Sequence, residues 1–166
     1  MTMRIEEASR GANAPEFPMS RTLIIWSLRL ALGGIFLYAG GLKAADPELF
    51  SREVAGYQLL PELAPLVAAT LPTTELLLGL LLIILPSRSA WLRGTALASA
   101  AIFFVFLIAV TQVVIRGIDT RCGCFGADSG IIDILSIIRV AAFLLASVLL
   151  LILTRMPSST TTAVAL

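Results

Sequence analysis

Cys122 and Cys124, with Gly123 between them, are the only thiols in the chain. They stand among Gly, Asp, Arg and Ser residues in a loop running from Arg116 to Gly130, between two long apolar runs. A thiol pair so spaced forms either a reversible disulfide or a two-thiolate clamp for a soft metal ion. A disulfide needs its α-carbons within about 7 Å of each other. Residues two apart in an extended chain stand at about that limit (~7 Å), so the chain must bend sharply, and Gly123 and Gly126 permit the backbone angles. So small a ring is expected to be strained and therefore oxidising. It closes almost no loop and stabilises little through chain entropy, so it suits electron exchange better than stapling. Arg121, next to Cys122, favours the reactive thiolate.

The elements that must position this pair are membrane helices. Of 166 residues 58% are hydrophobic and only 14% charged, whereas a soluble domain carries about a quarter charged residues. A spanning helix needs about 20 consecutive apolar residues, and four stretches qualify: about 22–42, 63–86, 95–115 and 131–153. Backbone groups in lipid must be satisfied within the segment, so these runs are expected as helices. The fold expected is an all-α integral membrane protein, a four-helix bundle over 21–155. Residues 1–20 read as a cytoplasmic arm, interrupted by Pro15 and Pro18, and 156–166 as a disordered tail. Glu6, Glu7 and Glu16 among the first residues do not fit the basic start of a signal peptide, so the first segment is expected to be retained.

Between the first two spans, Asp46 followed by Pro47 is a helix start. Phe50, Val54 and Tyr57 then recur at helical spacing opposite Glu48, Arg52 and Glu53, which predicts a short amphipathic helix at the interface. Of Gly33, Gly34, Gly40 and Gly41 in the first span, most read as close-packing positions. Arg4, Arg10, Arg21, Arg88, Arg93 and Arg155 fall toward one face, and Lys43, Arg52, Arg116 and Arg121 toward the other. The basic excess places both termini in the cytoplasm. The cysteine loop then faces outward, where disulfides persist.

Several function classes drop out. The net charge of +1 carries no footprint for nucleic acid. The chain has no histidine, which removes the commonest metal ligand and the usual proton shuttle, and with only two cysteines a closed four-ligand zinc site within one chain would need carboxylates. Arg29, Glu75 and Arg139 lie inside apolar runs, where an ionised group is costly unless paired. At a rise of about 1.5 Å per residue they sit about 10, 15 and 21 Å from the cytoplasmic helix ends. Glu75 is thus expected between the two arginines, as an ion-pair cluster fixing helix register or as a polar seat for a proton path or quinone head group.

In order and spacing, the segments from Arg29 to Phe36, Gly40 to Phe50, Tyr57 to Pro61, Leu71 to Gly79 and Cys122 to Gly126, together with Arg139, resemble the DoxX-like membrane proteins. Within these the chain is similar to the methylamine-utilisation MauE family, over most of residues 21–153. The resemblance implies a four-helix bundle serving disulfide formation or thiol handling outside the cytoplasm, beside a thioredoxin-like partner. It implies Cys122 and Cys124 as the redox pair, and Lys43, Asp46, Glu75 and Arg139 as matched polar positions without assigned roles. The leading expectation is a multi-pass protein of a bacterial inner membrane, surrounded by lipid, acting as a thiol-disulfide oxidoreductase at the outer face. With one thiol pair and no second thiol station, electrons pass to a quinone-like acceptor or to a cysteine-containing partner on the same side; no covalently bound cofactor is expected. The alternatives are capture of Cu(I) or Hg(II) by Cys122 and Cys124, and a non-enzymatic anchor or assembly factor for a soluble redox protein.

Overall fold

A computed structural model of the chain describes residues 18–59, 61–87, 89–118 and 132–155. The arm assigned to 1–20, apart from its last three residues, the tail assigned to 156–166, and Arg121, Cys122 and Cys124 lie outside the described residues. The elements are α1 (Pro18–Ala45), α2 (Pro47–Gly56), a 3₁₀ turn (Pro61–Leu63), α3 (Ala64–Ile84), α4 (Ala90–Arg116) and α5 (Ile134–Arg155). Four of these helices, α1, α3, α4 and α5, are long and apolar enough to cross a membrane. The four long helices are those the apolar runs predict, and α2 between the first two is the short helix that Asp46-Pro47 and the spacing of Phe50, Val54 and Tyr57 predict.

Local chemistry explains the boundaries. Asp46 caps α2 by accepting from the Leu49 N–H at 2.9 Å, with Pro47 at the first helical position. Ser89 caps α4 in the same way, accepting from the Leu92 N–H at 3.1 Å, so α4 starts five residues before the apolar run beginning at Thr95. The C-terminus of α4 closes on Gly117 at φ 62°. There the Ile118 N–H reaches back to the Val113 carbonyl at 3.1 Å and the Gly117 N–H to that of Val114 at 3.2 Å, a Schellman closure that requires a left-handed residue. Asp133 starts α5, its Oδ1 accepting from the Ser136 N–H at 2.9 Å and from the Ser136 hydroxyl at 3.1 Å.

The bundle consists of two closely packed antiparallel pairs, α1 with α3 and α4 with α5, joined by contacts of α1 with α5 and of α3 with α4. Glycine sets the register of the first pair. A Cβ on Gly33 would lie 3.0 Å from the Gly79 carbonyl oxygen, and one on Gly79 would lie 2.9 Å from that of Gly33. Higher on α1, a Cβ on Gly40 would meet the Pro72 carbonyl and Glu75 Cβ, each at 3.1 Å. Gly34 and Gly41 have nothing within 4 Å of that position. The close approach expected of most of the glycines of α1 belongs to two of them, Gly33 and Gly40, which share the face turned to α3.

Phe36 of α1, Phe103 of α4 and Phe143 of α5 form a row across the middle of the bundle, with centroid separations of 4.8 and 5.5 Å. A core containing Leu32, Leu82, Leu92 and Leu150 fills the half toward the start of α1, here the proximal end. A smaller cluster of Val110, Val113, Ile132 and Val140, with Tyr57 and Ile118 against it, fills the opposite or loop end.

Candidate functional site

At the loop end, the Lys43 ammonium lies 2.9 and 2.8 Å from the two carboxylate oxygens of Glu75. The side chains are only 2% and 1% exposed, so this pair is buried. The α1–α3 register makes it possible. Gly40, one turn before Lys43, lets α1 approach Pro72 and Glu75 closely. Helical side chains lean toward their own N-terminus, so in an antiparallel pair Lys43 reaches inward and Glu75 reaches outward until they meet.

The ammonium has two aromatic neighbours, Phe50 of α2 with its ring centroid at 5.5 Å and Phe106 of α4 at 5.8 Å. Both lie within the range of a cation–π attraction, which strengthens on desolvation. Phe50 and Glu53 are the buried residues of α2. The interfacial helix therefore covers the ion pair.

Below this cover, at the seam between α1 and α5, is a cavity of about 30 Å³. Its deep end is apolar, with Ile35, Phe36, Phe103 and Phe143, and its outer end carries Lys43, Glu75, Ser136 and Arg139. This volume admits a water or two, since one water needs about 10–15 Å³ on such a measure. Arg139 is exposed at the wall of this cavity, and its charge acts on Asp133. The Asp133 carboxyl is held below the usual carboxylate range, chiefly by the backbone N–H of Ser136.

The tertiary structure regroups the charges of the apolar runs. Glu75 and Arg139 do line one cavity, but the ion-pair partner of Glu75 is Lys43, and Arg29 lies elsewhere. Its Nε donates to the Leu82 carbonyl at 2.6 Å, and its terminal nitrogens to the carbonyls of Ile83 and Leu85 and the hydroxyl of Ser87. Stacked over Trp26 at 4.3 Å, it closes the C-terminus of α3. Depths counted from the helix ends misplace Arg29 because they set residue 22 level with residue 85. The glycine register instead sets Arg29 beside Leu82–Leu85, about seven residues (~10 Å) further along. Asp46 acts as the cap of α2, so its matched polar position has a local structural role.

Two further residues join this end together. Gln112 Nε2 donates to the Tyr57 carbonyl at 2.7 Å. Arg116 donates to Gln112 Oε1 at 3.1 Å and approaches the backbone and side-chain oxygens of Gln58 at 3.4 and 3.5 Å. A glutamine near the end of an otherwise apolar span was the signal that could have found them. Among the described residues no group of three or more His, Cys, Asp and Glu could hold a metal ion.

The family described as "Methylamine utilisation protein MauE" matches residues 21–153. The methylamine utilization protein MauE of Paracoccus denitrificans is 33% identical over 105 residues, which are 62% of this chain and 54% of that protein. The chain thus spans about half the length of the curated relative it matches. No solved structure matches the chain. The family match takes in all four candidate spans up to Leu153, Lys43 and Glu75 as well as the cysteine loop, and the chain is a membrane protein belonging to the MauE family.

Proposed function

We propose that the chain is a membrane thiol-disulfide exchange protein whose working group is Cys122–Cys124, an accessory to the maturation of disulfide-containing redox proteins. The observation that carries this reading is the position of the pair in the chain. The only two thiols fall in the one link that joins α4 to α5. Both anchors of that link, Ile118 and Ile132, pack in the cluster at the end where α2 covers the buried ion pair. The relative's printed name supports a link to methylamine utilisation.

The exchange balances within two dithiols. A partner thiolate attacks one sulfur of the Cys122–Cys124 disulfide, forming a mixed disulfide and releasing the other sulfur as a thiolate. The partner's second thiolate then attacks the mixed disulfide, so the partner leaves oxidised and Cys122 and Cys124 leave reduced. The two protons lost by the partner's thiols are taken up by the two released thiolates. Reoxidation passes two electrons and two protons to an acceptor of the quinone class or to a second disulfide outside the membrane. Both termini lie in the cytoplasm of a bacterial inner membrane, and a thioredoxin-like protein is the partner at the outer face.

The test is labelling of Cys122 and Cys124 in intact cells with a membrane-impermeant maleimide. Labelling that requires prior mild reduction supports the reading. Thiols reached only by a permeant reagent, or labelled fully without reduction under oxidising growth, overturn it.

A further inference from the structure

We propose that Gln112 and Arg116 are positioning residues that latch the cover helix α2 to the base of the cysteine loop. The observation is a strained turn held by side chains of another helix. Gln58 has φ 52° and is the one non-glycine residue in the left-handed region among the described residues. For a residue with a Cβ that conformation is costly and persists only where surrounding contacts impose it. Those contacts come from α4: Gln112 takes the carbonyl just before the strained residue, and Arg116 faces both oxygens of Gln58. Gln112 and Arg116 stand one turn apart, joined at 3.1 Å, and Arg116 immediately precedes the glycine from which the loop departs.

The latch is continuous with the buried pair. At its start α2 places Phe50 on Lys43. The residue that follows it, Tyr57, packs against the cluster of Val110, Val113, Ile132 and Val140, on which Ile118 also packs. The cover of the ion pair and the two stems of the loop, Ile118 and Ile132, therefore meet in one cluster. The position of α2 sets how Cys122 and Cys124 are presented. This deepens the thiol-exchange reading, on which its functional meaning rests, but its test does not depend on a disulfide ever forming.

The experiment uses the full-length protein in lipid vesicles, fully reduced. It measures the alkylation rate of Cys122 and Cys124 by maleimide and amide hydrogen exchange over residues 49–58. Gln112→Glu keeps size and the acceptor for Arg116 while losing the donor to the Tyr57 carbonyl; Gln112→Leu loses both. Each is expected to speed exchange in α2 and alkylation of the thiols together, by about fivefold, the factor for one net hydrogen bond. Adding Gln58→Gly, which relieves the strain at φ 52°, returns both rates part of the way and separates loss of the latch from general unfolding. Faster exchange in α2 with unchanged alkylation overturns the inference, as does no change in either. A wild-type pair that never oxidises would overturn the thiol-exchange reading and leave the latch to be judged by these rates alone.

Discussion

The two ends of the bundle meet the same problem, cations held against lipid, by different means. At the proximal end Arg21, Arg29 and Arg93 donate to main-chain carbonyls at the C-termini of α3 and α5. Those carbonyls have no intrahelical partner and carry the negative end of the helix dipole. The cations complete structures that must end somewhere, and no acidic side chain is involved in these bonds. At the loop end Lys43 is matched by a carboxylate, buried under a separate short helix and set beside the stems of the cysteine loop. An end that closed its helices only with main-chain carbonyls would need no cover. The pair and its cover mark the loop end as the one where charge, aromatic rings and the thiol loop converge.

The largest effect is expected from breaking the buried pair one member at a time. Glu75→Leu or Lys43→Met alone leaves an uncompensated buried charge and should cost about 3–5 kcal/mol. The double variant should recover most of that loss, because neither charge then remains. Denaturant titration in detergent checks this, and equal losses in single and double variants would contradict it. The contrast between the ends predicts that Arg29→Leu also destabilises, by about 1.5–3 kcal/mol for each of its charged hydrogen bonds that water at that end does not replace. It should leave the alkylation rate of Cys122 and Cys124 unchanged, unlike Gln112→Leu.

Smaller effects test the register that brings Lys43 to Glu75. Gly79→Ala drives a Cβ into the Gly33 carbonyl oxygen and Leu37, and overpacking of this kind costs about 1–3 kcal/mol. Gly34→Ala, with open space at that position, should be neutral or stabilising by up to about 1 kcal/mol. Comparing the two melting temperatures separates a packing glycine from a lipid-facing one.

The smallest effect concerns Asp133. Its carboxyl is held below the usual range by the Ser136 backbone and hydroxyl donors. A carboxyl depressed on folding contributes stability that is present above its unfolded pKa and lost as pH falls through the folded one. Stability should therefore decline slightly on acidification below the ordinary carboxylate range, and Asp133→Asn should flatten that decline in melting curves taken from neutral to acid pH.

The comparison also separates what could be read along the chain from what could not. Apolar runs about 20 residues long dictate helices, because lipid offers backbone groups no other partners. Asp46-Pro47 carries its own cap, so α2 was legible from a few residues. Cys122 and Cys124 stand out because they are the only thiols, and Glu75 because a carboxylate in an apolar run needs a partner. Its partner was not legible. Counting depth from helix ends assumes helices of equal length with level ends, and α1 begins further out than α3 finishes. The glycine face shared by Gly33 and Gly79 sets the offset, and periodicity alone does not say which of four glycines meets a backbone. Composition and local chemistry, which act over a few residues or one span, thus determined the four helices, the interfacial helix and the thiol pair. Only packing between distant segments decided that Lys43 rather than an arginine neutralises Glu75, that Arg29 ends α3, and that Gln112 holds Gln58 in a strained turn, because each depends on the interhelical register and not on sequence spacing.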